Sequence, residues 1–121
     1  MQNTETFGAF LKAQRKKREI TLRYMAELVG IAVGSYCDIE SNRNYPPEKR
    51  ILEKMIEVLH LPEADQKTFY DLAGKARSAA PPDLPEYIND NQVVRFALRV
   101  AKEKASDEDW RRFINDLEKK E

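Results

Sequence analysis

Residues 30–40 read GIAVGSYCDIE. A glycine opens the stretch, and Tyr36 and Ile39 follow three apart, the spacing of one helix face. This predicts a short helix over residues 32–41 with those two side chains turned inward. The positions left to face outward are Ala32, Val33, Gly34, Ser35, Cys37 and Asp38. Among them only Asp38 is charged, so the outer face carries few strong hydrogen-bonding groups.

Just upstream, TLRYMAELVG (residues 21–30) gives a second short helix. Thr21 is placed to cap its N-terminus. Leu22, Met25, Ala26 and Val29 share one side, and Gly30 supplies the stop. Two short helices around a glycine turn are the core of a helix-turn-helix. Ala26 is small because the second helix must pack closely across it, and Met25, Val29, Ile31, Tyr36 and Ile39 fill the space between.

Further out, Phe7, Phe10, Leu11 and Gln14 mark a first helix over residues 6–19, its last stripe position spoiled by glutamine. SNRNYPP is turn chemistry. Asn42 suits a left-handed conformation, and Pro46-Pro47 stops helix continuation. Pro47 is expected in the first turn of a fourth helix striped by Ile51, Met55, Ile56 and Leu59. A fifth begins at Pro62, with Phe69, Leu72, Ala73 and Ala76 as its apolar face. SAAPPDLP, with three prolines in a short span, cannot be helical. Two more helices follow it, the last opened by a capping-box-like Ser106–Asp109 pair. No stretch alternates as a strand would, and no repeats occur. The expected organisation is a first domain over 1–78, a linker over 79–91 and a helical extension over 92–121.

Composition bounds the function. Charged residues make up 35% and apolar ones 41% of 121, which suits a helix-rich globular chain. No run of about 18 apolar residues exists to span a membrane, and MQNTETFGAF lacks the regions of a signal peptide. Cys37 is the only cysteine, so no internal disulfide forms and a reducing, cytoplasmic setting is expected. His60 and Cys37 are the only soft ligands, so neither a metal nor another cofactor is expected. Catalysis finds no support either. Cys37 lies on the third helix, His60 ends the fourth as a helix-dipole partner, and no glycine-rich phosphate loop occurs. Net charge is zero, but Lys12, Arg15, Lys16, Lys17, Arg18 and Arg23 outweigh Glu5 and Glu19 in residues 1–23, a local +4. Residues 79–121 carry eight basic and ten acidic residues, a net −2. Such asymmetry is compatible with DNA contact at one end.

FLKAQRKKREIT, TLRYMAELVGI and SYCDIESNRNYPP together resemble the Cro/C1-type (XRE) family of helix-turn-helix repressors, over residues 7 to about 61. The resemblance implies an all-α, five-helix lambda-repressor-like domain that binds a double-stranded operator, here followed by a C-terminal helical extension. It implies a partly buried ion pair between Arg15 and Glu40. It places the amides near Thr21 and Leu22 against a phosphate, with Arg23, Arg43 and Asn44 as further phosphate contacts. Base contacts fall to Ala32, Val33, Gly34, Ser35, Cys37 and Asp38. Many members carry glutamine in place of Leu22 and polar residues in place of Ala32, Val33 and Gly34. What remains is methyl contact to thymine from Ala32 and Val33, close backbone approach at Gly34, and acceptance from a cytosine amino group by Asp38. Ser35, Tyr36 and DNA shape would supply the rest.

Palindromic operators call for a two-fold partner. Val94, Leu98, Trp110, Phe113, Ile114 and Leu117 form the apolar stripes of the C-terminal helices and are the expected homodimer or partner interface. The alternatives are completion of a single core and capture of another protein. The C-terminal part also loosely resembles small repressors of the DdrO/ImmR sort. That implies a partner metallopeptidase and a cleavage site over residues 104–109. An antitoxin paired with a toxin, with weak or lost DNA binding, is the rival reading.

Overall fold

The computed structural model describes residues 5–121. The described residues form eight α-helices and no strand. The chain divides into two compact units at the Pro85–Glu86 bond.

The first unit holds α1 (Phe7–Lys17), α2 (Leu22–Val29), α3 (Val33–Glu40), α4 (Lys49–Leu59) and α5 (Glu63–Ala76). Helix α1 packs on α3 and α5, and α2 packs on α3 and α4. The core is continuous: Phe7, Leu11, Met25, Val29, Tyr36, Leu52, Met55, Leu59 and Phe69 are fully buried. At its centre the Phe7 and Phe69 rings lie 5.0 Å apart, within the range of attractive aromatic pairing. Each Phe or Leu buried here contributes about 1.5–3 kcal/mol from removal of apolar surface.

All five helices end the same way. Each is followed by a left-handed residue, namely Glu19, Gly30, Asn42, His60 and Ser78. The amide of that residue and the next reach back to carbonyls three and five residues earlier, as Gly30 N to Glu27 O and Ile31 N to Ala26 O do. The motif satisfies carbonyls that a helix end leaves orphaned. Only one of the five is glycine. Asn42 tolerates the conformation better than most residues, whereas Glu19, His60 and Ser78 each carry backbone strain of up to about 1–2 kcal/mol, offset by the hydrogen bonds that each closes. His60, expected as a dipole partner, is thus a left-handed terminator of α4 (φ 50°).

Two expectations need correction. Pro47 lies outside α4, because Glu48 takes the N-cap position and the helix starts at Lys49. Ala76 is exposed at the last turn of α5. The residue that fastens this end is Arg77. Its Nε and Nη2 donate to Pro46 O at 3.2 and 2.8 Å, and its guanidinium sits 5.0 Å over the Tyr45 ring. Residues beyond α5 return to it through Ala79 N to Gly74 O.

The second unit holds α6 (Pro85–Asp90) from its second residue on, α7 (Gln92–Lys104) and α8 (Asp107–Glu118). Helix α6 lies within the span expected to be linker. Arg95 ties it to α7 by donating to the carbonyls of Ile88 and Asn89. Ser106 accepts from Asp109 N at 3.2 Å while Asp109 accepts from Ser106 N at 2.9 Å, a complete capping box. Those bonds, with a further one from Arg112, hold the Asp109 carboxyl below its usual range. No residue from Glu86 to Glu121 is buried.

Candidate nucleic-acid interface

Geometry begins at the cap of α2. The Thr21 hydroxyl accepts from Tyr24 N at 3.1 Å, which leaves the first amides of the helix, at Leu22 and Arg23, outside its own bonding. Arg23 is exposed and Leu22 is partly so. The chain leaves α2 at Gly30 (φ 79°), a conformation glycine adopts without steric cost. It enters α3 at Ala32, which is extended and makes no side-chain cap bond.

Helix α3 presents a narrow outward edge. Ala32, Gly34 and Ser35 are exposed, and Cys37 and Asp38 are half-buried. Val33 is half-buried because it packs against the core, so only part of it faces outward. Tyr36 cannot serve as a contact, since its side chain is fully buried. Its hydroxyl lies inside without a hydrogen bond of ordinary geometry. Burial first, then the neighbouring Glu40 carboxylate, push that hydroxyl well above the usual tyrosine range.

Beneath α3 lies a clasp. Arg15 of α1 donates from Nε to Glu40 Oε2 at 2.7 Å and from Nη2 to Glu40 Oε1 at 3.0 Å. Only 5% of Arg15 and 7% of Glu40 is exposed. Arg15 also donates from Nη1 to Ile20 O at 2.7 Å, a bond that adds the α1–α2 loop to the clasp. The hydrogen-bonded carboxylate raises the guanidinium above its ordinary pKa despite burial. One planar side chain therefore registers α1, the entry to α2 and the end of α3, because its donors form a rigid fork.

At the other end of α3, Arg43 and Asn44 are exposed. Their amides both donate to Asp38 O, at 2.9 and 3.1 Å. The Arg43 guanidinium pairs with the Asp38 carboxylate at 3.2 Å, with 72% and 47% of the two side chains exposed. A pair that wet contributes at most about 1 kcal/mol. It does cancel the acidic charge on the outer edge of α3. Sequence reasoning placed these two residues in separate roles and missed that they meet. The spacing i, i+5 across a helix end gives no periodic signal for such a pair.

Val94 and Arg95 are half-buried within the second unit, while Leu98, Ile114 and Leu117 are exposed. The sequence reading missed Phe96, which is 69% exposed. Phe96, Ala97, Val100, Ala101, Trp110 and Phe113 line a cleft between α7 and α8, with the Trp110 and Phe113 rings edge to face at 5.9 Å. Among the described residues no group of His, Cys, Asp and Glu could hold a metal, and no helix is long and apolar enough to cross a membrane.

Residues 11–66 match a family model described as helix-turn-helix. No curated protein matches the chain. Among solved structures, a chain of the SinR protein/SinI protein complex is 25% identical, with a TM-score of 0.49 over 93% of this chain and 95% of that one. The clp gene regulator ClgR from Corynebacterium glutamicum is 21% identical, with a TM-score of 0.48 over 83% and 92%. With the glycine turn, the exposed edge of α3 and the clasp beneath it, residues 11–66 form a helix-turn-helix domain similar to those of the Cro/C1-type regulators.

Proposed function

We propose that this chain is a transcriptional repressor that binds its own operator as a homodimer, with α3 in the major groove. The observation that carries the reading is the rigid presentation of α3. A bidentate buried ion pair fixes it from below, and its outer edge of Ala32, Gly34 and Ser35 stays exposed, with Asp38 half-buried beside them. That edge has few donors, so phosphate contacts from the start of α2, Arg23, Arg43 and Asn44 supply most of the affinity and DNA shape much of the specificity.

A mobility-shift titration with duplex from the upstream region of its gene tests this at two salt concentrations. Binding should weaken steeply with salt. Arg43→Ala should lower affinity for every duplex and reduce the slope of log K against log salt by about 1. Salt-independent binding, or none in dilute buffer, would sink the DNA reading.

Gly34 offers a second probe. A Cβ built there meets nothing within 4 Å, so Gly34→Ala should stabilise the fold by about 0.5–1 kcal/mol through helix propensity. The same methyl would stand between the α3 backbone and the base edges. We expect stability in urea to rise while operator affinity falls. A parallel rise in both would remove Gly34 from the interface.

The homodimer is assigned to the second unit. It leaves Phe96, Trp110, Phe113, Ile114 and Leu117 between 36% and 69% exposed, more apolar surface than a lone helical hairpin in water tolerates. Phe113→Asp should convert a dimer to a monomer in sedimentation equilibrium. A wild-type monomer would instead favour a protein partner, such as a toxin or a metallopeptidase, for that surface.

A further inference from the structure

Asn42 is the left-handed residue that follows α3 (φ 63°). Glycine would adopt that conformation with no strain, so the turn alone gives no reason for an amide side chain. The amide is engaged at both its oxygen and its nitrogen. Asn42 Nδ2 donates to Thr6 Oγ1 at 2.9 Å, and Asn42 Oδ1 accepts from Gly8 N at 3.0 Å. Thr6 Oγ1 also accepts from Ala9 N at 3.1 Å, capping α1. One side chain thus spans from the loop after α3 to the start of a helix more than thirty residues earlier. The next two residues are Arg43 and Asn44, whose amides are held by Asp38 O. The loop is fastened to α3 through its backbone and to α1 through Asn42.

We infer that Asn42 is a positioning residue for DNA binding: by strapping the loop to the start of α1, it sets Arg43 and Asn44 in register with a phosphate. It acts through those two residues, since its carbonyl oxygen and one of its N–H donors hold the strap to α1. The inference rests on the DNA reading above and deepens it.

The test uses Asn42→Gly, which keeps the left-handed turn and removes the strap. The full chain should still fold, with operator affinity roughly tenfold weaker, the cost of misplacing one or two charge-assisted contacts. The salt slope should fall toward that of Arg43→Ala, and adding Asn42→Gly to Arg43→Ala should lower the slope little further. In the free protein, amide exchange at Arg43 and Asn44 should quicken. Thr6→Val should reproduce part of the effect, and Thr6→Ser should restore it. Wild-type affinity and slope in Asn42→Gly would overturn the proposal. So would a loss of stability with the slope and the loop exchange unchanged, because Asn42 would then only end the helix. Failure of the wild-type chain to bind duplex at all would bring down the functional reading and this proposal together. An effect confined to Asn42→Gly leaves that reading standing.

Discussion

Arg15→Ala is expected to lower the unfolding free energy by about 3–5 kcal/mol, a large part of the stability of a small domain. Three bonds are lost at once, two to Glu40 and one to Ile20 O. The larger cost is what stays behind. Glu40 is 7% exposed and would remain charged, buried and unpaired beside the Tyr36 hydroxyl, which offers it no hydrogen bond of ordinary geometry. Arg15→Lys should recover little, because a single ammonium cannot span both carboxylate oxygens and the Ile20 carbonyl. Removing both charges, as in Arg15→Leu with Glu40→Leu, should cost far less than either single change, since no orphaned charge remains. Urea titration of the four proteins forms a double-mutant cycle. A single-mutant loss under about 1 kcal/mol would mean the pair behaves as a wet surface contact. The functional consequence follows from position: Glu40 is the last residue of α3, so loosening the clasp frees one end of the helix that the proposed function sets in the major groove.

That clasp shows which features a sequence carries openly. Thr21, Ala26 and Gly30 announce α2 and its stop because each is chosen for a local reason: a hydroxyl cap, a small volume, a positive φ. The pattern of Tyr36 and Ile39 places α3, and the Cro/C1 resemblance supplies Arg15 and Glu40. What stays hidden depends on tertiary contact. Glu19, His60 and Ser78 terminate helices in left-handed conformations that their side chains do not favour. The hydrogen bonds of the fold impose them. Tyr36, read both as a core residue and among the base contacts, keeps only the first role because it is fully buried. Phe96 was legible and overlooked: it completes the i, i+3, i+4, i+7 set with Val93, Ala97 and Val100, and the turn at Ala105–Ser106 brings that face to the same cleft as Trp110 and Phe113. The outward residues of α3 were legible as a face but not as chemistry. Small side chains such as Ala32, Gly34 and Ser35 mark an exposed edge and say little about which bases the proposed function would have them meet.

Gly8 carries the second large expectation, and its place in the apolar stripe of α1 hides the reason for it. Between Phe7 and Phe10 a glycine weakens the helix by about 1 kcal/mol relative to alanine, so local propensity alone favours Gly8→Ala. Tertiary packing reverses the sign. A Cβ on Gly8 would stand 2.2 Å from Glu40 O and 2.6 Å from Ile39 O. These are backbone atoms of the end of α3, and no rotamer change can move them aside. To reach ordinary contact, α1 must shift by roughly an ångström. The shift would break the Gly8 N bond to Asn42, strain the nearby clasp and pull Phe7 from its contact with Phe69. Overpacking of this kind costs typically about 1–3 kcal/mol when side chains alone must move. Here the obstacle is backbone, and we expect a loss of about 3 kcal/mol or more. Calorimetry of Gly8→Ala against Gly34→Ala, each a glycine in a helix of the same unit, isolates the effect. Propensity predicts that both rise in Tm, whereas close approach of α1 to α3 predicts a rise for Gly34→Ala and a steep fall for Gly8→Ala. Equal shifts would mean that α1 does not lie against the end of α3, and the seat of α3 would have to be redrawn.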